Sequence, residues 1–176
     1  MGEHHVNNAL AAAAVATAVG VPCEEVAREL SGRAASSPHR MAVTTREDDI
    51  TVIDDAYNAN PDSMAAALRA LRRIAAGRRT VAVLGAMLEL GEAEEEEHAA
   101  IGMLVRDLGI DRLITVGPLA AVAADQVSAD RAIRCDDLDA ARVALAETAR
   151  SGDVILFKAS NGSRVWQLAD EWAGSR

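Results

Sequence analysis

A short polar stretch carries the residue types best suited to chemistry in this chain. It holds two carboxylates, two amides and the only tyrosine: Asp54, Asp55, Asn58, Asn60 and Tyr57. The stretch follows a β-rich run, residues 50–53, which predicts a strand. Because open α/β sheets bind ligands at the carboxyl ends of their strands, this position predicts a ligand-binding loop.

A second interpretation of the same stretch needs no ligand. Pro61 suits the first turn of a helix, and Asn60 or Asp62 can cap that helix. Short polar side chains in such loops often bond their own backbone. The residues alone leave both interpretations open, a binding loop and a capped turn.

Two further loops are predicted at strand ends, residues 85–91 and 158–162. The second begins with Lys158, the only lysine of the chain, which could meet a phosphate or carboxylate as a point charge. Arg40 could act in the same way. The alternatives are a surface lysine and an exposed linker residue. If the sheet is parallel, the three loops share one rim.

The elements that position these loops follow from periodicity and from Gly and Pro. Residues 6–19 and 22–30 read as helices, 32–39 as a linker, and 41–44 with 50–53 as a hairpin. Helices are then predicted over 62–76, 93–108, 119–127, 137–150 and 163–173. Strands are predicted over 80–85, 112–116, 132–134 and 153–157. Alternating strands and helices imply an α/β fold, a parallel sheet between helix layers.

Composition and missing motifs narrow the function. A net charge of −9 argues against a nucleic-acid or membrane surface. Cys23 and Cys135 lie far apart without metal-binding spacing, which favours reduced thiols in a cytosolic protein. No phosphate-binding loop, dinucleotide fingerprint or nucleophile elbow occurs, and the histidines lack the spacing of metal ligands.

Several motifs together resemble the Mur ligases. They are DDAYNANPDSM at 54–64, VLGAMLELGE at 83–92, His98 with Ile101-Gly102, Gly109-Ile110-Asp111, and the opening GEHHVNNALAA at 2–12. The resemblance covers essentially the whole chain. It implies a Rossmann-like, three-layer C-terminal domain over residues 40–176. Residues 1–39 would be the end of the family's central ATPase domain plus a linker.

The resemblance also implies an activity. Within the family, the chain is most similar to ligases that add D-alanyl-D-alanine to UDP-N-acetylmuramoyl-tripeptide during bacterial peptidoglycan synthesis. ATP phosphorylates the substrate carboxylate, and the dipeptide amine attacks the acyl phosphate. Mg²⁺ neutralises phosphate charge, and domain closure aligns the reactants. The full-length enzyme is expected to be a cytoplasmic monomer.

The resemblance carries site roles onto particular residues. Six are implied to bind ATP: Asn8, Arg40, Asp55, Tyr57, Asn58 and Asn60. Among them, Asn8 would meet adenine, Arg40 the ribose and phosphates, and Asp55 the ribose hydroxyls. Lys158 and Ser160 are implied on the dipeptide and phosphate side. No residue is assigned as catalytic or as a metal ligand.

The sequence also departs from the family pattern. Ala86 replaces an aspartate, and Ala159 and Asn161 replace a glycine and an arginine, a role that Arg164 could take over. The UDP-sugar domain, the phosphate-binding loop and the modified lysine are absent, which predicts part of a longer ligase, inactive alone. The alternatives are another Mur or folylpolyglutamate-type ligase, a non-catalytic nucleotide or dipeptide binder, and a fragment without function.

Overall fold

The computed structural model describes residues 3–31 and 38–174, with side chains from residue 9 onward in the first range. The chain forms two compact units, Met1–Pro38 and His39–Arg176. Residues 32–37, in which most of the predicted linker falls, lie outside the described ranges.

The first unit contains the two predicted helices. Helix α1 spans Glu3–Ala18 and α2 spans Cys23–Ser31, and the two are in contact. The run of alanines explains α1, since alanine has the highest helix propensity. Gly20, at φ 93°, follows α1 in a left-handed conformation that glycine adopts without strain.

The second unit is built on a six-stranded sheet. Its strands are β1 (Ala42–Thr45), β2 (Thr51–Asp54), β3 (Thr80–Leu84), β4 (Arg112–Val116), β5 (Ala132–Cys135) and β6 (Val154–Lys158). Their spatial order is β1-β2-β6-β3-β4-β5. The predicted hairpin is confirmed, because β1 pairs antiparallel with β2 and places Ala42 opposite Asp54. The other neighbours are parallel, as predicted.

Helices cover both faces of this sheet. They are α3 (Pro61–Ala75), α4 (Glu94–Asp107), α5 (Pro118–Ala124), α6 (Leu138–Thr148) and α7 (Trp166–Gly174). One core joins α3, α4 and α5 to the sheet, and a second core joins α6 and α7 to its other face. Strand β6 serves both, because Leu156 points into the first core and Phe157 into the second. The α/β three-layer prediction is confirmed.

The differences from prediction concern helix ends. Single 3₁₀ turns at Gly91–Ala93 and Asn161–Ser163 precede α4 and α7, so α7 begins at Trp166 rather than at residue 163. Helix α5 ends at Ala124, three residues early. None of the helices in the described ranges has the length and apolar character needed to cross a membrane. Both cysteines are free thiols.

Candidate functional site

The three predicted loops lie together at one edge of the sheet. They follow β2, β3 and β6, which are adjacent in the order β2-β6-β3. A depression of about 260 Å³ opens between them, lined by Tyr57, Asn58, Leu88, Glu89, Ser160, Asn161 and Gly162. The prediction that the loops share a rim is confirmed, and the group of loops is called the rim below.

Lys158 lies inside the rim rather than on its surface. Lys158 is 2% exposed, so the alternative of a surface lysine is wrong. The ammonium nitrogen Nζ lies 2.8 Å from Asp55 Oδ2, and it donates hydrogen bonds to the backbone oxygens of Asp55 (3.2 Å) and Asn58 (2.6 Å). The last residue of β6 therefore fixes the loop that follows β2.

Asp55 joins this loop to the first residues of the second unit. Its Oδ1 accepts a hydrogen bond from the backbone N–H of Met41 at 3.0 Å, while Oδ2 faces Lys158. The residue is 9% exposed. Both carboxylate oxygens of Asp55 are therefore engaged within the protein.

Ser160 connects all three loops. Its hydroxyl donates to the backbone oxygen of Ala59 at 3.3 Å and accepts from the N–H of Leu88 at 3.0 Å. Its own N–H donates to the oxygen of Ala86 at 2.9 Å. Since Ser160 is buried, these contacts hold the depression together from below.

Part of the polar stretch behaves as the capped turn that the sequence left open. Asn60 is the N-cap of α3: its side chain accepts from Ser63 N–H, the Ser63 hydroxyl accepts from Asn60 N–H, and Pro61 follows as the first helical residue. Asn58 Oδ1 accepts from Ala59 N–H at 2.8 Å. These contacts shape the loop, and they leave the Asn58 side chain exposed at its tip.

At the exposed surface of the rim, an arginine from the segment before β1 lies over a tyrosine. The guanidinium carbon of Arg40 lies 4.0 Å from the centre of the Tyr57 ring. Arg40 is exposed and Tyr57 is 41% exposed. The pair offers a flat cationic and aromatic surface, which suits a planar base or an anionic group.

His39 and His98 support the rim, and the sequence did not predict either role. His39 Nδ1 lies 2.7 Å from Asp54 Oδ2, and its backbone oxygen accepts from Tyr57 N–H. Buried His98 accepts from Met87 N–H through Nε2, while Nδ1–H donates to the oxygen of Glu94. The bond to Glu94 is local, since both residues lie in α4. The other three contacts join segments that only the fold brings together, so no local pattern could indicate them.

Burial controls the charges beneath the rim. It lowers the pKa of Lys158 below its ordinary value, while the charge and hydrogen bond of Asp55 oppose that shift. Burial raises the pKa of Asp54, against the hydrogen bond and charge of His39. The charged pair of Lys158 and Asp55 is therefore held by mutual contact in a site that disfavours isolated charges.

The buried carboxylate of Asp55 does not fit a Mg²⁺ site. Mg²⁺ requires several oxygen ligands in octahedral geometry, whereas Asp55 is occupied by Lys158 and Met41. In the described residues, one cluster brings three groups able to ligate a metal within 4.8 Å, namely His39, Asp54 and Asp170. Its shortest contact, 2.7 Å, is an ordinary hydrogen bond, which explains the pair without an ion.

The structure shows where Ala159 and Arg164 lie, two residues connected with the departures from the family pattern. Ala159 is fully buried, and a Cβ added at Gly85 would lie 2.7 Å from the Ala159 Cβ, so the two backbones approach closely. Arg164 is exposed at φ 55°, and no hydrogen bond or ion pair joins its guanidinium to described residues. Asn8 lies in α1, in the other unit, and its side chain falls outside the described part.

Comparison with known proteins assigns most of the chain to one family. Residues 39–161 match the family described as Mur ligase, glutamate ligase domain. This chain is 46% identical to the UDP-N-acetylmuramoyl-tripeptide–D-alanyl-D-alanine ligase of Mycobacterium tuberculosis. It is 34% identical to the enzyme of the same name from Bacillus subtilis. The alignments cover 96% and 97% of this chain but 38% of each relative. The chain thus spans well under half the length of these relatives.

Solved structures show the same fold. A crystal structure of MurF from Acinetobacter baumannii matches with a TM-score of 0.82 and 29% identity, over 98% of this chain and 38% of that one. MurF from Thermotoga maritima in complex with ADP matches with a TM-score of 0.67 and 27% identity, over 86% and 36% of the two chains.

Proposed function

Because this chain belongs to the Mur ligase family, we propose that it is part of an ATP-dependent ligase that joins D-alanyl-D-alanine to UDP-N-acetylmuramoyl-tripeptide in peptidoglycan synthesis. The names of the relatives from Mycobacterium tuberculosis and Bacillus subtilis support this substrate pair. The observation that carries the proposal is the rim, where buried contacts hold a loop with an exposed arginine and tyrosine at its edge.

Within that enzyme, residues 40–176 are proposed as the C-terminal domain and residues 1–39 as the end of the central ATPase domain with its linker. The division of the chain after Pro38 and the start of the family match at residue 39 support this boundary. Asn8 is proposed to contact adenine.

We propose nucleotide contacts for the rim residues whose side chains are accessible to a ligand. Arg40 would face ribose and phosphates, Tyr57 would present its ring and hydroxyl, and Asn58 its exposed amide. The related structure in complex with ADP supports a nucleotide as ligand. This chain supplies no triphosphate cradle in its described residues, so we assign it the adenosine end of ATP.

The buried residues are proposed to position this surface. Asp55 and Lys158 fix the loop after β2, Asn60 caps α3, and Ser160 ties the loops together. The family resemblance implies that Asp55 meets the ribose and that Lys158 lies on the dipeptide and phosphate side. Since their polar groups are engaged inside the protein, a positioning role explains both better.

In the proposed reaction, ATP would activate the tripeptide carboxylate as an acyl phosphate, and Mg²⁺ would neutralise phosphate charge when bound. The rim would orient the nucleotide, because reaction rate depends strongly on alignment of the reactants. We place the enzyme in the bacterial cytoplasm as a monomer. The net charge of −9 supports the absence of nucleic-acid or membrane partners.

A chimaera tests the proposed reaction. This chain would replace the corresponding segment of the full-length Mycobacterium tuberculosis relative, and phosphate release would be measured with ATP, Mg²⁺ and the UDP-linked tripeptide. We expect turnover to require D-alanyl-D-alanine. Turnover with free L-lysine or D-glutamate instead would overturn the assignment and favour another Mur ligase. The unmodified relative serves as the matched control for assay conditions.

A further inference from the structure

A basic pocket lies at the amino ends of the strands, at the opposite end of the sheet from the rim. Its volume is about 460 Å³, and its lining consists of four arginines, two aspartates and a glycine: Arg79, Arg112, Arg131, Arg150, Asp111, Asp130 and Gly109. We call it the amino-end pocket, because these residues adjoin the first residues of β3, β4, β5 and β6. Four arginines in one pocket contrast with the net charge of −9 for the whole chain.

Two of the arginines are held in place by the protein. Arg79 Nη1 donates to Asp153 Oδ2 at 2.5 Å and to the backbone oxygen of Thr148 at 3.2 Å. Arg131 Nη2 donates to the backbone oxygen of Ile110. A guanidinium has five N–H donors in a fixed fork, so each of these groups retains donors beyond those bonds.

The other two arginines have no partner within the described residues. No hydrogen bond, ion pair or ring contact joins the side chain of Arg112 or Arg150 to them. Arg112 is half-buried at the start of β4, and Arg150 is exposed just before β6. The pocket therefore contains two guanidinium groups whose donors are open to a ligand.

The nearby carboxylates neutralise only part of this charge. Asp153 is already engaged by Arg79 and by the backbone N–H of Arg150. Asp111 Oδ2 accepts from both the N–H and the hydroxyl of Thr80. Asp130 is exposed. Four cationic against two anionic lining residues leave the pocket positive.

From this arrangement we infer that the amino-end pocket binds a phosphate dianion. Guanidinium forks match the tetrahedral oxygens of phosphate and bind them in pairs. Two fixed arginines provide a prearranged wall, and Arg112 with Arg150 provide free donors. This site goes beyond the proposed ligase function and does not depend on it, since it lies on the opposite edge of the sheet from the rim.

Nuclear magnetic resonance of the ¹⁵N-labelled chain tests the inference residue by residue. Inorganic phosphate would be titrated at pH 7.5, with sodium chloride holding the ionic strength constant so that general screening does not change. We expect saturable shifts in the Nε–Hε signals of Arg112 and Arg150 and in the backbone around Gly109 and Asp130.

The variant Arg112→Gln/Arg150→Gln removes the two free guanidiniums. We expect its phosphate affinity to fall roughly tenfold for each group lost, the usual strength of a hydrogen bond to a charged group. The matched control is Arg69→Gln/Arg106→Gln, which removes the same charge from exposed sites outside the pocket. A thermal unfolding curve for each variant verifies the fold.

The outcomes are separable. Loss of binding in the pocket variant and its retention in the control would support the site. Equal weakening in both variants, an unchanged affinity in the pocket variant, or no saturable shift with phosphate would overturn it. A parallel titration with glycerol phosphate identifies the source of the ligand, because tighter binding than phosphate would indicate a phosphate ester and weaker binding the free anion.

Discussion

The Nζ of Lys158 lies 2.8 Å from Oδ2 of Asp55, although 103 positions separate the two residues in the chain. The side chains are 3% and 12% exposed. A buried ion pair adds little net stability over an apolar pair, but removing one partner leaves a charge without solvent or counter-charge. The value of this pair therefore lies in the geometry that it imposes on the rim.

Lys158→Met should destabilise the second unit by about 3–5 kcal/mol, because Asp55 would remain buried without its partner. The free energy of unfolding in urea measures this change. The double variant Lys158→Met/Asp55→Asn should recover much of the loss. A single variant as stable as the wild type would contradict the buried pair.

Tyr57→Ala should weaken ATP binding by this chain about 5- to 150-fold, since stacking on an aromatic ring contributes about 1–3 kcal/mol per base. Tyr57→Phe keeps the ring and should bind nearly as well. Calorimetric titration with ATP and Mg²⁺ compares the two variants. Equal affinities for Tyr57→Ala and the wild type would remove Tyr57 from the proposed nucleotide surface.

The charge of Asp111 should make the free energy of unfolding depend on pH in the acid range. Burial raises its pKa, but the hydrogen bonds from Thr80 and the charges of Arg72 and Arg79 outweigh that effect and hold it below the ordinary 3.8. Its contribution is complete above pH 3.8 and is lost as the pH falls through the lower, folded-state value.

The variant Asp111→Asn isolates this effect from the other carboxylates. We expect the wild type to be more stable than the variant at pH 6 and the difference to shrink below about pH 4. Urea unfolding across this range measures it. A difference that stays constant with pH would show that the charge of Asp111 is not involved.

Gly85→Ala should destabilise the rim by about 1–3 kcal/mol, as added volume in a packed interior does. The new Cβ would meet the Ala159 Cβ at 2.7 Å and Val165 Cγ2 at 2.9 Å. Gly174→Ala, in open space, is the control. Adding Ala159→Gly to Gly85→Ala should restore part of the loss, and a neutral Gly85→Ala would show that the backbones can separate.

The two thiols should react at very different rates with a disulfide reagent. Cys23 is exposed. Cys135 is buried, and burial together with the charges of Asp136 and Asp137 raises its thiol pKa. Under native conditions we expect one fast thiol, absent in Cys23→Ser, and a second only after unfolding. Fast reaction of Cys23→Ser would contradict the burial of Cys135.

The order of strands and helices could be predicted from the sequence because each element has its own local pattern. The apolar run at Thr80–Leu84 is a strand buried on both faces, and Pro61 with Asn60 marks the start of α3. The position of β6 between β2 and β3 could not be predicted, since pairing of distant strands leaves no local trace.

The candidate site was predictable in outline only. The loop at 54–60 and its neighbours were found from their place after strands, but the burial of Lys158 was not, because a lysine at a strand end is usually solvated. Its burial depends on Asp55 and on two backbone oxygens far away in the chain. Polar residues that serve tertiary contacts have no periodic signature.

The central place of β6 has a consequence for synthesis on the ribosome. Its residues, Val154–Lys158, leave the exit tunnel after every other strand, yet β2 and β3 pair with it rather than with each other. Until β6 is available, the facing edges of β2 and β3 remain unpaired. Unpaired strand edges can pair with other chains and so favour aggregation. Chaperone protection would matter most in the seconds before this strand inserts.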